Sequence, residues 1–137
     1  MIPPSLPPSP GPDADLLQHC FAANPQPMWI FDAETLRFLA VNEAALALYG
    51  YSRAQFLELT VRDIRPEEDV PAFLSRIREA PPESGRTGPW RHRRRDGQLL
   101  LVEIAARRMS CAGRPAWLVR DDRLGMGPVD RHPAIRR

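Results

Sequence analysis

Several kinds of side chain here could carry chemistry, and each has to be judged by its neighbours. His92 lies in the run Trp90-Arg91-His92-Arg93-Arg94-Arg95, where an imidazole could move a proton or ligate a metal and the arginines could neutralise phosphates. Strand alternation divides that run. Arg91, Arg93 and Arg95 are expected to point outward together, and no exposed aromatics interleave with them to stack bases. A solvated or dimer-contact face is therefore expected, and no nucleic-acid partner. Glu67, Glu68 and Asp69 cluster at a helix start, where carboxylates suit the dipole, with no basic or metal-ligating partner at a useful spacing. Cys20 and Cys111 have neither metal-ligand nor redox spacing and read as reduced structural thiols. No paired carboxylates, activated Ser or Cys, or phosphate loop stands out, so neither catalytic residues nor a metal site is expected.

Composition narrows the classes further. A chain of 137 residues, 43% hydrophobic and 26% charged, supports one globular core and not two ordinary ones. Its 19 Lys-plus-Arg positions are all arginine, yet the net charge is only +2, lower than a general polyanion binder carries. No apolar run approaches the roughly 18 residues that span a bilayer. Met1-Ile2-Pro3-Pro4 lacks the charged and apolar regions of a signal peptide. A soluble, cytoplasmic protein with no membrane partner is expected.

The elements that must hold these side chains follow from hydrophobic period and punctuation. Residues 1–12 are a Pro-rich arm expected to be disordered, and 13–23 an amphipathic helix built on Leu16, Leu17, Cys20 and Phe21, ended by Asn24-Pro25. Residues 28–31 and 38–41 form a hairpin around a turn at 32–35. Asn42 then caps a helix, with Val41 and Leu46 as its staple, and Gly50 stops it. Ser52 and Gln55 form the capping box of the next helix, stapled by Tyr51 and Phe56. After a loop at 62–68, Asp69 is expected to cap a helix with Val70, Phe73, Leu74 and Ile77 on its apolar face, stopped by Pro81-Pro82. Residues 83–88 read as a surface loop. Strands at 89–94, 99–107 and 115–120 follow, the last two joined through 110–114, and 123–137 reads as a disordered tail. Two strands, several short helices, then three strands imply an α+β domain: an antiparallel sheet with helices on one face.

Asp96-Gly97 marks a hairpin, and its loop length decides which side chains face the helices. A two-residue loop pairs Trp90 with Glu103. A three-residue loop with Gly97 in the left-handed position pairs Trp90 with Val102 and His92 with Leu100, burying indole against valine and leaving Glu103 outside. The second register is expected, with Trp90, His92, Leu100, Val102, Ile104 and Ala106 facing inward. Met28, Ile30, Leu99, Leu101, Ala116 and Leu118 make the opposite face apolar as well. The N-terminal helix or a second copy of the chain must cover it, and a homodimer through the outer face and that helix is expected.

Asp32, Val41-Asn42-Glu43-Ala44-Ala45, Leu48-Tyr49-Gly50-Tyr51-Ser52, Ile64-Arg65-Pro66-Glu67-Glu68-Asp69 and Arg93-Arg94-Arg95-Asp96-Gly97 occur in that order, followed by Val102-Glu103-Ile104 and Leu118-Val119-Arg120-Asp121. Together they resemble a PAS domain over residues 24–122. The resemblance implies a five-stranded antiparallel sheet flanked by short helices, used for sensing and dimerisation in bacterial signal transduction, two-component systems included. It also implies a pocket that holds haem, flavin, a metabolite or nothing. Its ligand-binding wall would be Trp29, Phe31, Phe38, Trp90, His92, Val102, Ile104, Trp117 and Val119; the alternative is that these residues simply fill the core.

The segment after Ser52, Arg-Ala-Gln-Phe-Leu-Glu-Leu-Thr, lacks the cysteine of the photosensor subclass, and 70–79 lacks the axial histidine of the haem subclass. Haem would need His92, a flavin would be non-covalent, and no cofactor is the expectation. A sensor kinase or cyclase would continue from Asp121-Asp122 into a coiled coil, whereas this chain runs into Gly125-Met126-Gly127-Pro128. The expectation is a sensory or interaction PAS protein without its own output domain, acting on a signalling partner protein. The alternatives are a constitutive interaction module with a filled core and a truncated sensor histidine kinase or cyclase.

Overall fold

The structure, a computed structural model, describes residues 18–79 and 83–126. The expected Pro-rich arm, the first turn of the N-terminal helix, the Pro81-Pro82 stop and the tail from 127 lie outside those residues. Strands β1 (Met28–Asp32), β2 (Phe38–Val41), β3 (Glu83–Arg93), β4 (Leu99–Cys111) and β5 (Arg114–Met126) form one antiparallel sheet in the order β2-β1-β5-β4-β3. Helix α1 covers residues 18–23. Between β2 and β3 come α2 (Glu43–Tyr49), α3 (Arg53–Phe56), a 3-10 turn (Glu67–Asp69) and α4 (Val70–Glu79). Ala45, Tyr49, Phe56, Ile64 and Phe73 from this helical segment pack into one core with Trp29, Leu100, Val102 and Val119 of the sheet.

Local chemistry sets the entry into the helices. Asn42 Oδ1 accepts from the Ala45 N–H at 3.0 Å and from the Met28 N–H at 3.0 Å. Its Nδ2 donates to the carbonyls of Phe21 at 3.0 Å and Gln26 at 2.9 Å. One side chain thus caps α2 and ties it to β1 and to the end of α1. Gly50, at φ 87°, ends α2 in the left-handed conformation that costs glycine little. The Ser52–Gln55 capping box is complete, with the Tyr51 and Phe56 rings 5.5 Å apart behind it.

The β3–β4 hairpin adopts the expected register: Trp90 faces Val102, His92 faces Leu100, and Gly97 sits at φ 90° in the loop. Elsewhere the strands run further than their periodicity implied. Residues 83–88 are not a surface loop but the start of β3, which carries a bulge between Thr87 and Trp90. The extra residue there keeps Thr87, opposite Ile104, on the same face as Trp90. A Cβ on Gly88 would lie 3.0 Å from the Val102 carbonyl oxygen, so the bulge requires the glycine that made the segment read as a loop. The link at 110–114 shrinks to a tight turn at Ala112-Gly113, both at positive φ, and β5 continues to Met126, past the point where the tail was expected to begin.

Candidate functional site

The nine predicted wall residues come together on the inner face. Trp29, Phe31 and Phe38 come from the first hairpin, Trp90 and His92 from β3, Val102 and Ile104 from β4, and Trp117 and Val119 from β5, and every one is buried. They pack edge to face: Trp29 meets Phe38 at 6.0 Å and Tyr49 at 5.8 Å, and Phe73 meets Trp90 at 5.9 Å. What remains beneath α4 is a cavity of about 30 Å³, bordered by Phe73, Trp90, Ile104 and Trp117. That is room for about one or two waters. Haem on His92 and a non-covalent flavin therefore do not fit this arrangement.

Polar residues that sequence reasoning left out of the site lie in the same interior. Tyr49 donates its hydroxyl proton to Asp121 Oδ2, and its oxygen is 2.6 Å from His92 Nδ1. All three are essentially solvent-free. Donor counting assigns the tautomer: the phenol has one proton and the carboxylate takes it, so His92 carries its proton on Nδ1 and donates to the Tyr49 oxygen. His92 Nε2 is then a lone pair, buried without a partner among the described residues. Burial, aided by the positive charge of Arg65, holds His92 well below its ordinary 6.5. Burial, then the charge and hydrogen bond of Asp121, push Tyr49 well above 10.

Arg65 is the least expected member of this interior. It follows Ile64 in the loop before the 3-10 turn, is only 2% exposed, and lays its guanidinium 3.4 Å from the centre of the Phe73 ring and 5.7 Å from that of Trp90. Its carbonyl accepts from Arg93 Nη2 at 2.7 Å. Burial lowers its pKa to about 9, leaving it a cation at neutral pH. The local signal was Ile64-Arg65-Pro66 itself, a charged residue between apolar ones, but nothing in the sequence showed which way it turned.

The acidic cluster and the basic strip correct one another. Asp69 does not act as a free helix-start carboxylate. It is buried, and Arg91 grips both its oxygens, Nε to Oδ2 at 2.9 Å and Nη2 to Oδ1 at 2.7 Å, while Glu68 lies 3.2 Å from the same Nη2. Arg91 is accordingly not part of an outward row: it is buried, Arg93 is half-buried against Arg65, and only Arg95 is exposed. This ion pair fastens the 3-10 turn and the start of α4 to the edge strand β3. Cys20 and Cys111 are free thiols. Among the described residues no group of His, Cys, Asp and Glu gathers to hold a metal ion, and no helix is long and apolar enough to cross a membrane.

A search of curated proteins found no match. A family model described as PAS domain matches residues 25–120. Among solved structures, the PAS domain of an HTR-like protein from Haloarcula marismortui superposes with a TM-score of 0.71 at 18% identity, over 82% of this chain and 92% of that one. A PAS domain from a two-component sensor histidine kinase gives 0.70 at 20% identity, over 81% and 96%. A domain of the sensory box sensor histidine kinase/response regulator from Geobacter sulfurreducens gives 0.62 at 25% identity, over 79% and 92%. PAS domains are in general sensory, non-catalytic modules and commonly mediate protein–protein interaction. The five-stranded sheet, the helical segment over its inner face and a family match spanning most of the chain agree: this chain belongs to the PAS domain family.

Proposed function

We propose that this PAS domain is a cytoplasmic sensory and interaction module in signal transduction, working as a homodimer on a signalling partner. In this reading the nine inward residues from Trp29 to Val119 form the wall of its ligand site. The observation that carries the sensing role is the solvent-free Tyr49–His92–Asp121 set with Arg65 beside it. A core kept for stability alone gains nothing from burying these groups, because apolar residues of similar size avoid their desolvation cost. The set joins α2, β3 and β5, so a ligand that repacks it shifts β5, whose other face carries Leu118 toward α1.

Melting curves of the purified chain against a panel of small metabolites, with native mass spectrometry, test the reading. A stoichiometric mass increment and a raised melting temperature support it. A clean apo mass with no shift favours the second reading, a constitutive interaction module, to which the nearly filled core already points.

A further inference from the structure

The buried guanidinium of Arg65 has more hydrogen-bonding capacity than its surroundings use. Its Nε and Nη1 are solvent-free and without a partner, and among the described residues no carboxylate forms an ion pair with it. The acids nearest in charge are already engaged, Asp69 by both arms of Arg91 and Asp121 by the Tyr49 hydroxyl. An arginine this deep normally has its N–H groups paired, since leaving them unmade costs the full desolvation of a charged donor. Here one face of the guanidinium is covered by the Phe73 ring at 3.4 Å. Phe73 is also the only buried residue of α4 and borders the 30 Å³ cavity together with Trp90 and Trp117. Trp117 Nε1 is a further buried donor without a partner.

We infer that the inner site takes a small aromatic carboxylate, whose ring takes the place that Phe73 now fills and whose carboxylate accepts from an unpaired Arg65 N–H. The inference rests on the inner wall being a ligand site and names the ligand class. The recognition logic is chemical. A buried guanidinium gives a carboxylate a charge-assisted hydrogen bond and a compensating charge, while the aromatic wall accepts a flat ring but gives no preference for charge. Phe73 is a built-in plug with the shape of the ligand's ring. It is the one fully buried side chain of α4, beside the half-buried Leu74 and Ile77, so displacing it uncovers the face of the cation and enlarges the cavity in one movement.

Calorimetric titration of the full chain with benzoate and with benzyl alcohol, its neutral counterpart, tests this in Phe73→Ala, where removal of the ring leaves aromatic-sized space. Benzoate is expected to bind at least about 10-fold more tightly than benzyl alcohol, and Arg65→Met on the same background to abolish that preference. Comparable binding of both compounds overturns the carboxylate assignment while leaving the ligand wall standing. No binding of either compound overturns the inference and counts against the ligand wall too. Should the Arg65 variant fail to fold, the preference between the two compounds in Phe73→Ala alone decides. In the wild-type chain benzoate should raise the melting temperature and benzyl alcohol should not; the reverse order would refute the assignment.

Discussion

Tyr49 holds the buried polar set together because one hydroxyl serves two partners, donating to Asp121 and accepting from His92. Tyr49→Phe keeps the ring that packs against Trp29 and Phe56 but takes from Asp121 the hydroxyl it accepts from and leaves the His92 imidazole N–H without its acceptor. A loss of about 1–3 kcal/mol in urea unfolding is expected; no loss would mean that the two groups are satisfied elsewhere. His92 makes stability depend on pH in a defined direction. Its pKa lies well below 6.5 in the folded chain, so below 6.5 the unfolded chain takes up a proton that the native one refuses, and stability falls as pH drops through that range. The urea midpoint should therefore decline between about pH 7 and about pH 5, and less steeply in His92→Gln. Asp32 acts in a separate window. Its bond to Arg114, with the Thr35 N–H, lowers it from 3.8 to about 2, so its contribution persists until pH falls below 3.8. The inward placement of His92 was legible from hairpin register alone. That of Arg65 was not, because its contacts are with residues from other elements.

At the scale of elements, α4 is attached to the sheet by Phe73 and by the Asp69–Arg91 pair just before it. Arg91→Met, which leaves the Asp69 carboxylate buried without its cation, should cost about 3–5 kcal/mol, and Asp69→Asn less, because Glu68 still reaches Arg91. The double change Asp69→Leu with Arg91→Met should recover much of the Arg91→Met loss, because the buried carboxylate goes with its cation. Equal losses in the single and double variants, measured by chemical denaturation, would show that the pair is not the tether. Alternation was a sound guide to Trp90 and His92, whose partners lie on the neighbouring strand. It failed for Arg91, because this edge-strand side chain is long enough to find a carboxylate on a different element. The strand ends were misjudged for a related reason: Gly88-Pro89 and Ala112-Gly113 are turn-like locally, yet ladder pairing carries the chain through the first and folds it tightly at the second.

For the whole molecule, the proposed dimer rests on the outer sheet face. Ile30, Leu39 and Leu118 line a concavity there with Phe21 and Ala22 of α1, apolar surface of the kind that a second copy would cover. Leu118→Glu should convert the proposed dimer to a monomer in light scattering without altering the circular dichroism spectrum, since Leu118 is only half-buried; an unchanged mass would place the interface elsewhere. By itself, the sequence determined the order of elements, the cap at Asn42, the breaks at Gly50 and Gly97, and with them the face that each central strand buries. Those outcomes depend on sterics and hydrogen bonds among residues close along the chain or paired through one turn. Only the tertiary structure decided that Tyr49, Arg65, His92 and Asp121 share one dry interior and that Asp69 meets Arg91. A charged residue carries no local mark of whether it ends in water or in the core; that depends on which partner the completed fold brings within reach.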